Sequence, residues 1–187
     1  MFNIDHLIAD CQAALAKPSP EVVIRELIAR AMAEPAEVER ALGTPRRGGL
    51  TPLLHTPELT IVNVVWTPGM AIYPHEHRMW AVIGLYGGRE DNTFYRRGAA
   101  GLAEAGGRLL ERTDTVLLGK SVIHAVANPS RVFTGAIHAY GGDFFGAPRS
   151  EWTPDTLEER PFDMARARQT FAEANERWSR EEAAPGA

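Results

Sequence analysis

The sequence lacks the residues and runs on which several protein classes depend. Cys11 is the only cysteine among 187 residues, so no internal disulfide can form and no cysteine-based zinc site can be built. No apolar run approaches the roughly 18 residues that a membrane-spanning helix needs, and no charged start leads into an apolar signal segment. A net charge of −4 disfavours a nucleic-acid partner, which calls for a basic surface. These absences predict a cytoplasmic chain that binds neither membrane nor nucleic acid.

Helical periodicity is confined to the two ends of the chain. Apolar residues recur at helical spacing over 4–16, and Pro20 and Pro35 each stand where a further helix would begin. Residues 161–180 show a similar amphipathic pattern. We therefore expect an N-terminal helical extension over 1–43 and a C-terminal segment with a helix over 148–187, both attached to a single domain.

Residues 44–147, in the middle of the chain, have the sequence pattern of an all-β unit. Its segments are short and rich in β-branched residues, and glycines separate them. Strands are predicted at 59–66, 80–86, 92–97, 115–118, 124–127 and 132–140. Many short strands with glycine turns favour a closed barrel or a jelly roll over a parallel α/β sheet.

Two histidine motifs stand out in this β region. Gly69 opens a segment that ends in His75-Glu-His77, and Gly119 opens a second segment that contains His124. Residues two apart in a strand point to the same face, so His75 and His77 can both face a barrel interior, where His124 from a later strand can join them. Three imidazoles suit Fe, Zn, Ni, Cu or Mn and leave coordination positions open. The sequence therefore predicts one transition-metal site.

The spacing of these motifs resembles that of the cupin superfamily. Gly-x5-His-x-His, followed by Gly-x4-His-x3-Asn, is similar to the two cupin motifs. Most cupins add a glutamate after three or four further residues, and those positions here are Ala81 and Val82. The site thus resembles the carboxylate-free, three-histidine cupins. This likeness implies a mainly β fold, the cupin double-stranded β-helix or jelly-roll barrel.

Two further segments resemble the thiol dioxygenases, of which cysteine dioxygenase is the best-known member. The helices over 19–42 are similar to those that precede the barrel in that family, and Ala136-Ile-His138-Ala-Tyr140 is similar to its Ser-x-His-x-Tyr segment. The resemblance implies that Fe(II), with Zn, Ni or Mn as alternatives, binds to His75, His77 and His124. It also implies that His138 and Tyr140 form a catalytic pair, and that dioxygen is added to the sulfur of a small thiol to give a sulfinate.

The sequence departs from that family at three points. Ala136 replaces the serine of the Ser-x-His-x-Tyr segment. In some family members a cysteine crosslinks to the tyrosine, and the corresponding position here, near Ala81, has no cysteine. The arginine that binds the substrate carboxylate aligns near Thr51, where Arg46 and Arg47 are the nearest candidates. The substrate is therefore left open.

Two alternatives to a thiol dioxygenase fit the same residues. One is a metal-dependent cupin that acts on a non-thiol small organic acid, and the other is a cupin that binds a ligand without turnover. The enzyme that acts on a small organic acid could be a dioxygenase or a hydrolase. In each case the partners would be small molecules, with dioxygen where the enzyme is a dioxygenase. The terminal helices could serve a homodimer interface.

Overall fold

A computed structural model describes residues 1–99 and 101–183 of the chain. Within those two ranges no helix is long and apolar enough to cross a membrane. Three helices precede the β region and one follows it: α1 (Ile4–Ala14), α2 (Pro20–Met32), α3 (Pro35–Leu42) and α4 (Met164–Glu182). Proline opens both α2 and α3, where its fixed φ suits the first turn and its missing N–H is not needed.

The strands run from Gly49 to Pro161. They are β1 (Gly49–His55), β2 (Thr60–Trp66), β3 (Ala71–Glu76), β4 (Ala81–Gly87), β5 (Arg89–Gly98), β6 (Gly101–Glu111), β7 (Thr115–Leu118), β8 (Ile123–Ala127), β9 (Thr134–Tyr140), β10 (Ser150–Trp152) and β11 (Glu159–Pro161).

These strands form two antiparallel sheets that face each other. The five-stranded sheet has the order β1-β2-β9-β4-β7, and the six-stranded sheet has the order β11-β10-β3-β8-β5-β6. From β2 to β10, every connection along the chain except that between β5 and β6 crosses from one sheet to the other, as in a jelly roll. The fold is therefore a cupin-type double-stranded β-helix with N-terminal helices and a C-terminal helix, as the sequence predicts.

Two hydrophobic clusters stabilise this arrangement. One fills the space between the sheets and continues to Phe171 and Ala174 of α4. The other joins α1 and α2 to the outer face of the five-stranded sheet. Gly84 allows α2 to approach that face, because a Cβ atom there would lie 2.4 Å from the Ile28 side chain and 2.8 Å from that of Met32.

Candidate metal centre

The three predicted metal ligands meet in the interior between the sheets. His75 in β3 and His124 in β8 are cross-strand partners in the six-stranded sheet. His77 follows β3 by one residue, and its ring lies 5.1 Å from that of His75 and 5.0 Å from that of His124, centroid to centroid. One nitrogen of each ring lies within 4.8 Å of the others, and all three side chains are buried. The spacing of the two motifs thus converges on a single cluster.

Hydrogen bonds orient two of these rings. Nδ1 of His75 is 3.0 Å from the backbone carbonyl of Tyr73, and Nδ1 of His124 is 2.7 Å from Oδ1 of Asn92. Because each acceptor needs an N–H, both rings carry their proton on Nδ1 and present the lone pair of Nε2. Nε2 of His124 has no hydrogen-bond partner among the described residues, although it is buried.

The surroundings keep the three imidazoles neutral. Burial lowers the pKa of His75 to about 4. Burial also holds the pKa values of His77 and His124 well below the ordinary value, and the neighbouring histidines add to the effect. Neutral imidazoles are the form that binds a metal. With an unpartnered Nε2 aimed into a buried cluster, the donor set fits a divalent transition metal.

No carboxylate occupies the position where most cupins have a fourth protein ligand. Ala81 and Val82 are fully buried residues of β4, and Ala81 lies opposite Tyr140 in the five-stranded sheet. Within the described residues, the cluster of potential ligands contains histidines only. A metal held there would keep coordination positions open to small molecules.

His138 and Tyr140 lie beside the cluster, on the central strand β9 of the opposite sheet. Nδ1 of His138 is 2.9 Å from the Tyr140 hydroxyl, and the Tyr140 ring lies 5.0 Å from that of His77. Both side chains are buried and line the same cavity as the three histidines. Burial raises the pKa of Tyr140, so its hydroxyl keeps its proton at neutral pH. The alternation of β9 brings the pair together as expected, and its catalytic role stays a prediction.

Arg149 is the residue at this site that sequence reasoning missed. Its Nη1 donates to the carbonyl oxygens of Phe144 and Ala147, 2.6 Å and 3.2 Å away. Its guanidinium lies between two rings, 4.7 Å from the centroid of Phe144 and 3.9 Å from that of Phe162. Both rings line the cavity of the cluster. Nε and Nη2 are buried without a partner among the described residues, and burial lowers the pKa of Arg149 to about 10.

Arg46 and Arg47, which the sequence suggests for a substrate carboxylate, do not line the cavity around the histidines, and neither do Arg78 and Arg97. Arg46 and Arg47 are exposed. Arg78 pairs with Glu76 at 2.6 Å, and Arg97 pairs with Glu76 and Glu159. Arg149 does not line that cavity either, but it packs on two rings that do.

The cavity itself is small. Its free volume is about 30 Å³, and apolar side chains such as Leu50, Trp66 and Phe171 form much of its wall. A volume of that size holds only one or two water-sized groups. A substrate of several atoms must therefore be compact and must displace some of the lining side chains.

Comparison with protein-family models finds no match. Among solved structures, the chain is similar to an RmlC-like cupin protein from Methanocaldococcus jannaschii with a double-stranded β-helix fold. The TM-score is 0.46 and the identity 11%, over 54% of this chain and 85% of that one. The chain is also similar to an uncharacterised Klebsiella pneumoniae protein with a double-stranded β-helix domain. The TM-score is 0.39 and the identity 13%, over 65% of this chain and 89% of that one.

An oxalate oxidase in complex with glycolate is also similar, with a TM-score of 0.40 and 14% identity over 54% of each chain. All three TM-scores lie below 0.5. The strand order of the two sheets defines the fold.

Proposed function

We propose that this chain is a non-haem Fe(II)-dependent, thiol dioxygenase-like cupin that adds dioxygen to the sulfur of a small acidic thiol. The observation that carries the proposal is the carboxylate-free cluster of three neutral imidazoles beside a buried, hydrogen-bonded His–Tyr pair. In the balanced reaction, RSH and O2 give RSO2H. Sulfur loses four electrons, dioxygen gains them, and the thiol proton leaves with the sulfinic acid.

His75, His77 and His124 would hold the iron through three neutral nitrogens. When bound, ferrous iron would supply a site where thiolate and dioxygen meet, and it would mediate the electron transfer between them. The protein contributes a buried setting, because side chains from both sheets and from α4 enclose the cluster. Exclusion of water strengthens the electrostatic interactions of a bound anion there.

Tyr140 would place a hydroxyl proton beside the reacting sulfur. Its hydroxyl is held by Nδ1 of His138 at 2.9 Å, and its ring stacks on Phe144 with centroids 4.0 Å apart. These two contacts fix the ring, so that the hydroxyl is oriented before the substrate arrives. A hydrogen-bonding group that needs no reorganisation is effective at stabilising developing charge.

Arg149 supports an acidic substrate. Among the described residues, two of its guanidinium nitrogens have no partner, and a buried unpaired cation is costly unless an anion satisfies it. A carboxylate suits the planar fork of the guanidinium. Arg149 also borders a surface groove of about 370 Å³ together with Ser150 and Arg160.

Oxygen uptake tests this function against its two alternatives. The metal-free protein is reconstituted with Fe(II) under anaerobic conditions and mixed with oxygenated buffer and a panel of mercaptocarboxylic acids, neutral thiols and hydroxy acids. We expect one acidic thiol to consume one O2 per thiol and to yield a product heavier by two oxygen atoms. Zinc-loaded protein should be inactive, since zinc has no redox chemistry.

Two other outcomes would contradict the proposal. Uptake with a hydroxy acid but with no thiol would favour the cupin that acts on a non-thiol acid. Binding of an acid to the iron-loaded protein without any uptake would favour the ligand-binding cupin.

A further inference from the structure

Glu90 is a fully buried carboxylate on β5 that the proposed chemistry does not use. Its Oε2 accepts a hydrogen bond from Nε1 of Trp66 at 2.9 Å, and its Oε1 accepts one from Nδ2 of Asn92 at 3.0 Å. Glu90 and Asn92 are two residues apart on the same strand, so both point into the barrel. An N–H group therefore faces each carboxylate oxygen, and only a side chain that accepts on both sides satisfies this position.

The carboxylate determines which way the Asn92 amide points. The NH2 group of Asn92 donates to Oε1 of Glu90, so the amide oxygen faces the other way. That oxygen lies 2.7 Å from Nδ1 of His124. His124 must then carry its proton on Nδ1, which leaves the lone pair of Nε2 free toward His75 and His77. The tautomer of His124 thus depends on a residue that does not touch it.

Glu90 also faces the second functional pair. Its Oε2 is 3.7 Å from Nε2 of His138, a nitrogen that has no hydrogen-bond partner among the described residues. A hydrogen bond is shorter than this distance, so the contact is electrostatic. Ala136 has no hydroxyl that could contact His138. Glu90 is the polar group described on the Nε2 side of the His138–Tyr140 pair.

We propose that Glu90 is a positioning residue that fixes the Asn92 amide and thereby holds His124 in its metal-binding tautomer. The inference rests on the metal site of the proposed function. It does not depend on which substrate that site accepts.

Glutamine is the informative substitution at this position. It keeps the shape of Glu90 but offers one acceptor and one donor to two N–H groups. If the Gln oxygen faces Trp66, its NH2 group forces the Asn92 amide to turn and present N–H to His124. His124 then moves its proton to Nε2, where it blocks metal binding. If the Gln oxygen faces Asn92 instead, two N–H groups oppose each other at Trp66.

Two measurements on Glu90→Gln test the proposal. The first is the protonation of each His124 ring nitrogen, read from side-chain ¹⁵N NMR shifts of the metal-free protein. The second is Co(II) affinity by chelator competition. We expect a shift of the His124 proton toward Nε2 and about a 10- to 100-fold loss of affinity, the usual effect of losing an outer partner of a ligand. Asp91→Asn is the control, because it removes one charge from the same strand, where Asp91 pairs with Arg89.

A second variant separates tautomer control from simple loss of packing. In Trp66→Phe/Glu90→Gln the opposing N–H group is gone, so the Gln oxygen can face Asn92. We expect the Nδ1–H tautomer and a Co(II) affinity within about threefold of Trp66→Phe alone. An unchanged His124 tautomer and affinity in Glu90→Gln would overturn the proposal, and so would a double variant no better than the single one. If Glu90→Gln does not fold, the double variant is still expected to fold and to show the Nδ1–H tautomer. If neither variant folds, the proposal is contradicted, because removing the Trp66 N–H group should remove the conflict with the Gln side chain.

The NMR measurement also keeps this inference separate from the proposed function. Wild-type protein that binds no Co(II) or Fe(II) would contradict the metal site. The His124 tautomer in the metal-free wild type and in Glu90→Gln would still decide the role of Glu90.

Discussion

Arg149 is buried, and it packs on Phe144 and Phe162, two rings that line the cavity of the histidine cluster. Within the part of the chain that the structure describes, two of its guanidinium nitrogens, Nε and Nη2, have no hydrogen-bond partner, and this distinguishes an anion site from a structural arginine. The ordinary use of a buried arginine is an ion pair. The neighbouring buried carboxylate Glu151 makes such pairs, but with Arg160 and Arg166.

Replacement of Arg149 by methionine is expected to lower kcat/KM for the acidic thiol by about 10- to 100-fold, because hydrogen bonds to a charged group are lost. The same replacement should lower kcat/KM for the neutral analogue of that thiol by less than about threefold. Arg149→Lys is the control that keeps the charge and should recover part of the activity. Equal losses for acidic and neutral thiols would mean that Arg149 only supports the loop of Phe144.

Strand periodicity explains which site residues can be read from the sequence. His75 with His77, and His138 with Tyr140, are pairs separated by one residue, and alternation predicts that each pair shares a face. Arg149 lies between β9 and β10, and its position depends on how that loop folds back over Phe144 and Phe162. No local pattern carries that information. Glu90 and Asn92 also alternate on β5, but only the folded structure shows that Asn92 reaches Nδ1 of His124 and that Glu90 contacts the other end of the Asn92 amide.

Among the elements, the helices and the long apolar strands agree most closely with the predictions. The predicted strand over 115–118 coincides with β7, and the other five predicted strands overlap observed ones. Strands β1, β6, β10 and β11 were not predicted, and β3 was implied only by the argument that His75 and His77 share a strand. The sequence of β6 is rich in Gly and Ala, and the strand forms because it pairs with β5 along its length. Strands β10 and β11 have three residues each, too few for a periodic signal.

The contact between the N-terminal helices and the sheet makes a pH-dependent prediction. Cys11 on α1 is fully buried in the cluster that joins α1 and α2 to the five-stranded sheet. Burial raises the pKa of its thiol to about 12, from 9.0 in the unfolded chain. The folded state therefore holds this proton when the unfolded state loses it, so stability falls as the pH rises above 9.0.

Between pH 8 and pH 10 we expect the wild type to lose about 1 kcal/mol more unfolding free energy than Cys11→Ala. Urea unfolding at the two pH values measures the difference, and the variant serves as the reference for all other titrating groups. Equal losses in the two proteins would show that the thiol titrates in the folded state as it does in the unfolded chain.

For the whole molecule, the two sheets contribute different parts of the site. The six-stranded sheet carries His75 and His124, with His77 just beyond β3, and the five-stranded sheet carries His138 and Tyr140. Helix α4 and the segment before it close one side with Phe162 and Phe171. The cluster forms only when the barrel closes, so metal binding is coupled to the folded state.

Metal content is the measurement that tests the central claim most directly. Protein loaded with Fe(II) under anaerobic conditions, freed of excess metal and measured by mass spectrometry of the elements, should hold about one metal ion per chain. His75→Ala, His77→Ala and His124→Ala should each lose most of it, whereas His6→Ala and His55→Ala should keep it, since neither residue belongs to the cluster. Full metal content in folded His124→Ala protein would contradict the three-histidine site.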